Sequence, residues 1–526
     1  MVYVDYDEDD HQASSFDTEQ GPFAVGDVGP TKAHTSTMVL RKKCLGIPVV
    51  VWGGLFLVGI LGIGLVASKA TGTAKEEVMA APMSPPTLPP THPPTPSPTP
   101  LTTHKKLQVD SQWIQHGNDV GGISSIKGTS GVSVGISYNG RYFAEGTTSA
   151  SGENPKPGHV RVYEYMDETQ TWEMVGSEIV GLKHGDEFGY SLDLSQDGKM
   201  VAIGAPGAYR HGGERPNVGF FNVHRWNETI QDWSPMGPDK FGEGDDDRAG
   251  TDICISKNGE ILVVGSPGSS RNKEKAGEVR VFAYSHPFQR WLRHGQELTG
   301  DDAGDQFGYS VAVSNDASVV AAGAPFASDE DAPHAGHVQI FKFLEHRKDY
   351  DGHMERRFHR ESRTLKGRDP GDNFGYSISM SEDGNIIAAG APAAPYEGSP
   401  AVGYVDVYRL SIEEDGEKWR HMGHSIYGKN IGEGFGKSVE LSQDGKVLTV
   451  GAPDGNDSRG SIRAFMYIDE SDTWEQIGDD IEGDGPFDFW GSAVASSGDG
   501  RVILSGGNNY LGASVGETHV RVYRGS

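Results

Sequence analysis

The chain has little cysteine, little basic charge and only one long apolar run, and each shortage excludes a class of protein. Of 526 residues two are cysteines, Cys44 and Cys254, which excludes a disulfide framework and a cysteine-based metal knuckle. Cys254 falls in a strand pattern over residues 251–255 and reads as a buried small apolar side chain. Lys and Arg number 46 against 74 acidic residues, a formal charge of −28. Nucleic acid is therefore excluded as a partner, because phosphate binding needs clustered cations. A cation or a basic partner suits that charge, which also serves solubility. Glycine, by contrast, is abundant at 73 residues and implies many tight turns between short strands.

The one apolar run, residues 47–67, carries no charge, and its 21 residues match a bilayer core of about 30 Å at about 1.5 Å per residue. It starts too late and runs too long for a cleaved signal peptide. Its glycines at 53, 54, 59, 62 and 64 show no G-x-x-x-G spacing, so helix dimerisation is not signalled. Arg41, Lys42 and Lys43 precede it, whereas Lys69 and Lys75 follow with Glu76 and Glu77. The positive-inside rule then puts the N-terminus in the cytosol and the rest outside, as in a type II signal anchor. Residues 1–43 read as a disordered acidic cytosolic tail, with Asp7-Glu8-Asp9-Asp10 and no Lys or Arg before residue 32. Residues 44–68 are the anchor, and Cys44 beside it is a candidate for S-palmitoylation. Residues 69–106 form a Pro/Thr-rich stalk, with ten prolines between 82 and 100 that exclude helix and sheet and favour polyproline II.

Within a domain over 107–526 the chain repeats itself from 113 to the end. A frame opening Phe188-Gly189-Tyr190-Ser191 and closing Gly204-Ala205-Pro206 returns at Phe307-Gly308, Phe374-Gly375 and Phe435-Gly436, closing Gly-Ala-Pro each time. Diverged copies open at Gly131, Gly250 and Gly491. In all seven the opening and closing glycines are 15 residues apart. A Ser recurs at 137, 195, 256, 314, 381, 442 and 497, followed two residues later by Asn139, Asp197, Asn258, Asp316, Asp383, Asp444 or Asp499. Ser-x-Asp/Asn-Gly is turn chemistry, which joins two apolar strands into a hairpin. A third alternating strand follows, as in Val160-Arg161-Val162-Tyr163, and then a fourth marked by Trp172, Trp233, Trp291, Trp419 or Trp474, with Phe358 in that role once. Four antiparallel strands about every 60 residues make a propeller blade.

The ends fix the count. The last copy ends after its third strand, at Val520-Arg521-Val522-Tyr523, while an orphan fourth strand with Trp113 precedes the first. Unpaired edges are avoided, so the N-terminal strand is expected to complete the last blade. The fold class is all-β, a seven-bladed β-propeller closed by its N-terminal strand.

The F-G-x-S and G-A-P signatures at this spacing resemble the FG-GAP repeats of the integrin α-subunit head, over about 113–525. The resemblance implies adhesion or ligand binding through one face of the disc, although integrin α chains carry their span after the propeller. It also points to a calcium loop, D-x-D/N-x-D-G-x-x-D, between the first two strands. Here the matching positions, Asp193, Ser195, Asp197 and Gly198, end at Val201 instead of a carboxylate. Ala312, Ser314 and Asp316 end at Val320, and Glu440, Ser442 and Asp444 at Leu448. The calcium loop is incomplete, and no metal ligand or cofactor is assigned.

Three residues before each frame stand Asp186, Asp247, Asp305, Asp372, Glu433 and Asp488, in the loops leading into the innermost strands. With Asp245, Asp246, Asp301, Asp302 and Asp369 nearby, they ring one face and are the ligand-face candidates. The same repetition also suits turns in which each carboxylate binds its own loop's amides. The variable loops after the second strands, with Arg210, His211, Glu214 and Arg215 in one and Asp329-Glu330-Asp331 in another, open on that face. The insertion 346–360 reads as a solvated loop. Sequons at Asn227 and Asn456 fit a lumenal or extracellular domain.

No catalytic set emerges: there is no nucleophile beside a base, and His184, His211, His294, His334 and His337 are scattered and mostly exposed by pattern. The expectation is a membrane-embedded binding or adhesion module for an extracellular protein or glycan ligand, not an enzyme. A structural wall or matrix protein and a carbohydrate-active propeller enzyme are the alternatives.

Overall fold

The computed structural model describes residues 108, 111–121, 129–148, 157–209, 216–348, 354–361, 364–396, 401–507 and 519–526, all within the compact unit Ser97–Ser526. The acidic tail, Cys44, the apolar run 47–67 and the stalk lie outside the described residues. Among those described, no helix is long and apolar enough to cross a membrane.

Seven antiparallel sheets follow one another along the chain. In blade two the strands Ser191–Leu194, Met200–Ala205, Phe220–Asn227 and Asp232–Pro235 run outward from a central channel in chain order, and the other blades repeat this. Blade seven takes three strands from the C-terminus and its outermost from the N-terminus, Trp113 pairing with Gly525, Ile114 with Arg524 and Gln115 with Tyr523. Ser526 N donates to the Gln112 carbonyl at 3.0 Å and completes that edge. The ring is closed by its own beginning.

The spacing of the frame glycines has a steric cause. A Cβ at the closing glycine of one blade would meet the carbonyl oxygen of the opening glycine of the next: Gly204 against Gly250 at 2.2 Å, Gly451 against Gly491 at 2.0 Å, Gly506 against Gly131 at 2.2 Å. The same juxtaposition occurs at Gly146, Gly265, Gly323 and Gly390. Backbone meets backbone at all seven seams, and only glycine fits. Between the seams, alternate residues of each sheet pack on the neighbouring blade: Val201, Ile203, Ala205 and Phe220 share a core with Val160, Val162 and Ile179 of blade one.

The hairpin turns form a repeated network. Ser195 Oγ donates to Asp197 Oδ1 at 2.6 Å and accepts from Met200 N at 2.9 Å, while Asp197 Oδ1 accepts from Lys199 N at 2.9 Å. All seven Ser–Asp/Asn pairs bond in this way. Successive turns are linked backbone to backbone: Gly498 N to Tyr138 O, Tyr138 N to Gln196 O and Gln196 N to Lys257 O on one arc, and Asn315 N to Glu382 O, Glu382 N to Gln443 O and Gln443 N to Gly498 O on the other. This turn face is stiff.

Two features depart from the sequence reading. Most blades carry a fifth, two-residue strand, such as Ile179–Val180, paired with the start of the third strand. The insertion near 346–360 is not a loop but an extension of two strands, His337–Lys348 and Met354–Arg360, with the tip outside the described residues. The sequon at Asn456 lies in a short helical turn, Gly455–Ser458, where Asn456 and Asp457 adopt left-handed backbone.

Candidate functional site

The loops entering the innermost strands and the loops leaving the second strands share one face, since Gly207 N donates to Asp186 O and Gly268 N to Asp247 O. The six ligand-face candidates stand there, but their carboxylates turn into their own loops. Asp186 accepts from Lys183 N, Asp305 from Asp302 N and Asp488 from Gly485 N, at 2.9, 2.9 and 2.6 Å. Asp247 accepts from Glu243 N and Gly244 N, and Asp372 from Arg368 N, Asp369 N and the Tyr404 hydroxyl. Glu433 caps Lys429 N and holds Arg463 through both oxygens at 2.8 and 2.9 Å, with both side chains buried. All but the half-buried Asp488 are buried. Burial pushes the carboxyls of Asp186 and Asp305 above the usual range. Of the two readings open for these six, a charged surface and turn carboxylates, the geometry is that of turn carboxylates that fasten their loops, because a carboxylate three residues before the opening glycine reaches the amides that open its own loop. Asp245, Asp246, Asp301, Asp302 and Asp369 are exposed beside them.

At the centre of this face a channel opens, with a volume of about 730 Å³ through the disc. The residue after the opening glycine stands at its mouth, and here the repeat breaks down: Val132, Tyr190, Thr251, Tyr309, Tyr376, Lys437 and Ser492 occupy the seven places. The Tyr309 and Tyr376 rings lie 4.9 Å apart, and Phe326 stands edge-on to Tyr309 at 5.9 Å. Burial and neighbouring phenols raise the hydroxyls of Tyr190 and Tyr309, which stay protonated. Arg248 pairs with Glu187 at 3.2 Å, and Lys437 with Asp454 at 3.2 Å. An aromatic ledge flanked by compensated charges is a surface for stacking and hydrogen bonding.

Deeper, the innermost strands present their unpaired edge to the channel, and side chains of the preceding blade satisfy its amides. Asp193 accepts from Leu194 N and, across the seam, from Ile255 N at 2.9 Å. Asp252 accepts from Ile253 N and, in the next blade, from Val311 N at 2.6 Å. Ser379 Oγ accepts from Leu441 N at 3.0 Å and donates to Glu440 Oε2 at 3.3 Å. The sequence reading placed Asp193 and Glu440 in the turn as incomplete calcium ligands; here they line the channel, while Ser195 and Asp197 close the hairpin. Cys254 is half-buried: it packs against the apolar core between blades three and four and also lines the channel, hydrogen-bonded to Asp193. Among the described residues no group of three His, Cys, Asp or Glu is placed to hold a metal ion.

The remaining assignments scatter. Asn227 is half-buried at a strand end, Asn456 is exposed, and His184 and His334 are exposed. Contrary to the pattern, His337 is half-buried, as are His116 and His224, and burial lowers all three to about 4. Residues 210–215 lie outside the described residues. The channel mouth went unnoticed in the sequence, although the irregular residue after each opening glycine was its signal.

The model of the FG-GAP repeat matches residues 296–341, which run from the end of blade three into the third strand of blade four. The chain is a seven-bladed β-propeller that carries an FG-GAP repeat. No curated protein matches it. Among solved structures, the FG-GAP propeller is similar to the periplasmic gluconolactonase PpgL of Pseudomonas aeruginosa, at 12% identity and a TM-score of 0.43, over 66% of this chain and 85% of that one. It is also similar to a putative 6-phosphogluconolactonase from Bacteroides uniformis, at 14% identity and a TM-score of 0.45, over 72% and 89%.

Proposed function

We propose that this FG-GAP propeller is a binding module, not an enzyme, that meets a protein or glycan ligand with its loop face and channel mouth. The observation that carries this is the break in symmetry at the mouth. Turns, seams and fasteners repeat around the disc because they build it, whereas Tyr190, Tyr309, Tyr376 and Lys437 differ from their counterparts. In repeat proteins such departures mark the surface that selects a partner. The acidic lining beneath favours a ligand with a basic group.

Gln108 lines a cleft on the opposite, turn face with Asp383, Asp444 and Asp499. The reading includes an anchor at 47–67 with a cytosolic N-terminus and the propeller on the extracellular or lumenal side.

Glycan and protein arrays probed with the full-length chain in detergent micelles test the proposal. Expected are hits that weaken at least tenfold in Tyr309→Ala and Tyr376→Ala, with folding retained by circular dichroism. Array silence together with hydrolysis of a polysaccharide would replace the binding module by an enzyme.

A further inference from the structure

The two faces of the disc fill their left-handed backbone positions differently. In the hairpin turns of the turn face these positions hold Gly140, Gly198, Gly259, Gly384, Gly445 and Gly500, with Ala317 the one exception. On the loop face, two residues before the opening glycines of blades two to seven, they hold Glu187, Arg248, Gln306, Asn373 and Phe489, and glycine only at Gly434. A second circle, two residues before the glycines that lead into the third strands, holds Asn217, Lys275, His334, Ala401 and Ser458, again at positive φ. We infer that Lys275, Gln306 and His334 are kept in this conformation for a ligand, and that with Tyr309 they form a glycan-selecting arc over blades three and four. This rests on the loop face being the binding surface.

Left-handed backbone strains every residue but glycine, because Cβ crowds the following carbonyl. Strained residues persist only where their surroundings hold them, and they gather at binding surfaces. The outer hairpins show the conformation as turn chemistry alone: Gln170, Gln231 and Gln289 repeat one residue, and Gln231 Nε2 donates to the Glu228 carbonyl of its own turn at 2.8 Å. The loop face repeats the conformation but not the residue. Some of its side chains tie the scaffold together. Arg248 pairs with Glu187, Asn217 Nδ2 donates to Asp246 Oδ1 at 2.9 Å, and Asn373 Nδ2 donates to the Pro325 carbonyl at 3.1 Å. Lys275 and Gln306 make no side-chain hydrogen bond or ion pair among the described residues. Lys275 and His334 are exposed, and Gln306 is half-buried.

The three residues are contiguous with the aromatic ledge. Gln306 N donates to Lys275 O at 3.2 Å, and Tyr309 N to Gln306 O at 3.1 Å. Phe326 stands edge-on both to Tyr309, at 5.9 Å, and to His334, at 6.1 Å, while Tyr376 continues the row inward. An ammonium, a carboxamide and an imidazole thus flank a row of rings, and the charges nearest the mouth, Arg248 and Lys437, are already paired. A sugar offers hydroxyls to such donors and acceptors and its C–H faces to the rings. A protein partner would centre on aromatic or arginine anchors taken fully out of water, whereas Lys275 and His334 stand exposed. The chemistry fits a glycan.

Glycine substitution separates ligand from scaffold, because it removes side chain and strain together. In the full-length chain in detergent micelles, Lys275→Gly, Gln306→Gly and His334→Gly should each hold or raise the thermal unfolding midpoint, as should Ala317→Gly on the turn face. On glycan arrays the first three should weaken the hits of the natural chain at least tenfold, and Ala317→Gly should leave them unchanged. A midpoint that falls in all three would make these side chains part of the scaffold and overturn the inference. Glycan hits that survive all three substitutions would overturn it too, with the binding module left standing. So would hits of the natural chain confined to protein arrays. Silence of the natural chain on both kinds of array would remove the binding module itself, and the inference with it.

Discussion

Trp113 Nε1 donates to the carbonyl of Ile477 at 2.9 Å, across 364 residues of sequence. The same bond recurs around the rim: Trp172 to His116, Trp233 to Val175, Trp291 to Met236 and Trp474 to Met422, at 2.7–2.9 Å. In these five blades the indole of the outermost strand thus ties its blade to the one before, and Trp113 does so for a blade whose other strands lie at the opposite end of the chain. In blade five the buried Trp419 Nε1 has no such partner among the described residues. Blade four has Phe358, which lacks the N–H. There Gln296 of blade three substitutes, bonding both the carbonyl and the amide of Phe358.

Trp113→Ala should lower stability by about 2–4 kcal/mol, the range for losing a large, partly buried aromatic together with its hydrogen bond. Trp113→Phe should lose about 1 kcal/mol. Ile114→Ala, at a side chain 60% exposed, should change less than about 0.5 kcal/mol. Chemical denaturation of the three variants ranks them; equal effects would mean that the closing strand is not held through its tryptophan.

Gly204→Ala sets a methyl 2.2 Å from the Gly250 carbonyl, backbone that cannot step aside without opening a seam. A loss of about 3 kcal/mol, the upper end for overpacking, is expected. Gly304→Ala meets nothing within 4 Å but sits at φ +86°, and should cost about 1–2 kcal/mol for the left-handed backbone alone. Thermal unfolding distinguishes clash from strain.

Asp372 accepts three hydrogen bonds within its blade. Asp372→Ala should therefore destabilise by about 2–3 kcal/mol, because the buried Tyr404 hydroxyl and two loop amides lose their acceptor. Neutralising the exposed neighbour in Asp369→Asn should leave stability within about 0.5 kcal/mol. Hydrogen exchange of residues 368–372 should quicken in the first variant only.

His224 is half-buried, its Nδ1 has no partner among the described residues, and burial lowers it to about 4 from an ordinary 6.5. A histidine lowered on folding contributes stability that is whole above pH 6.5 and is lost as pH falls to about 4. A change of that size is worth about 3 kcal/mol. His224→Gln should flatten the acid limb of the stability profile between those limits; an unchanged limb would mean that the ring is already protonated in the fold.

The sequence by itself determined the number of blades, the strand order within each and the closing role of residues 113–115. These depend on local chemistry that repeats: the Ser-x-Asp/Asn-Gly turn needs its own neighbours, and the frame glycines are the residues a seam between backbones admits. It likewise marked Asp186, Asp247, Asp305, Asp372, Glu433 and Asp488, without deciding between surface charge and loop fastener. Only the closed ring decided that, along with the position of Asp193, Asp252, Cys254 and Glu440 on a common channel and of Tyr309 against Tyr376. Side chains from blades far apart in sequence meet at the axis because seven radial sheets share one centre, and no spacing along the chain encodes which of them face each other there.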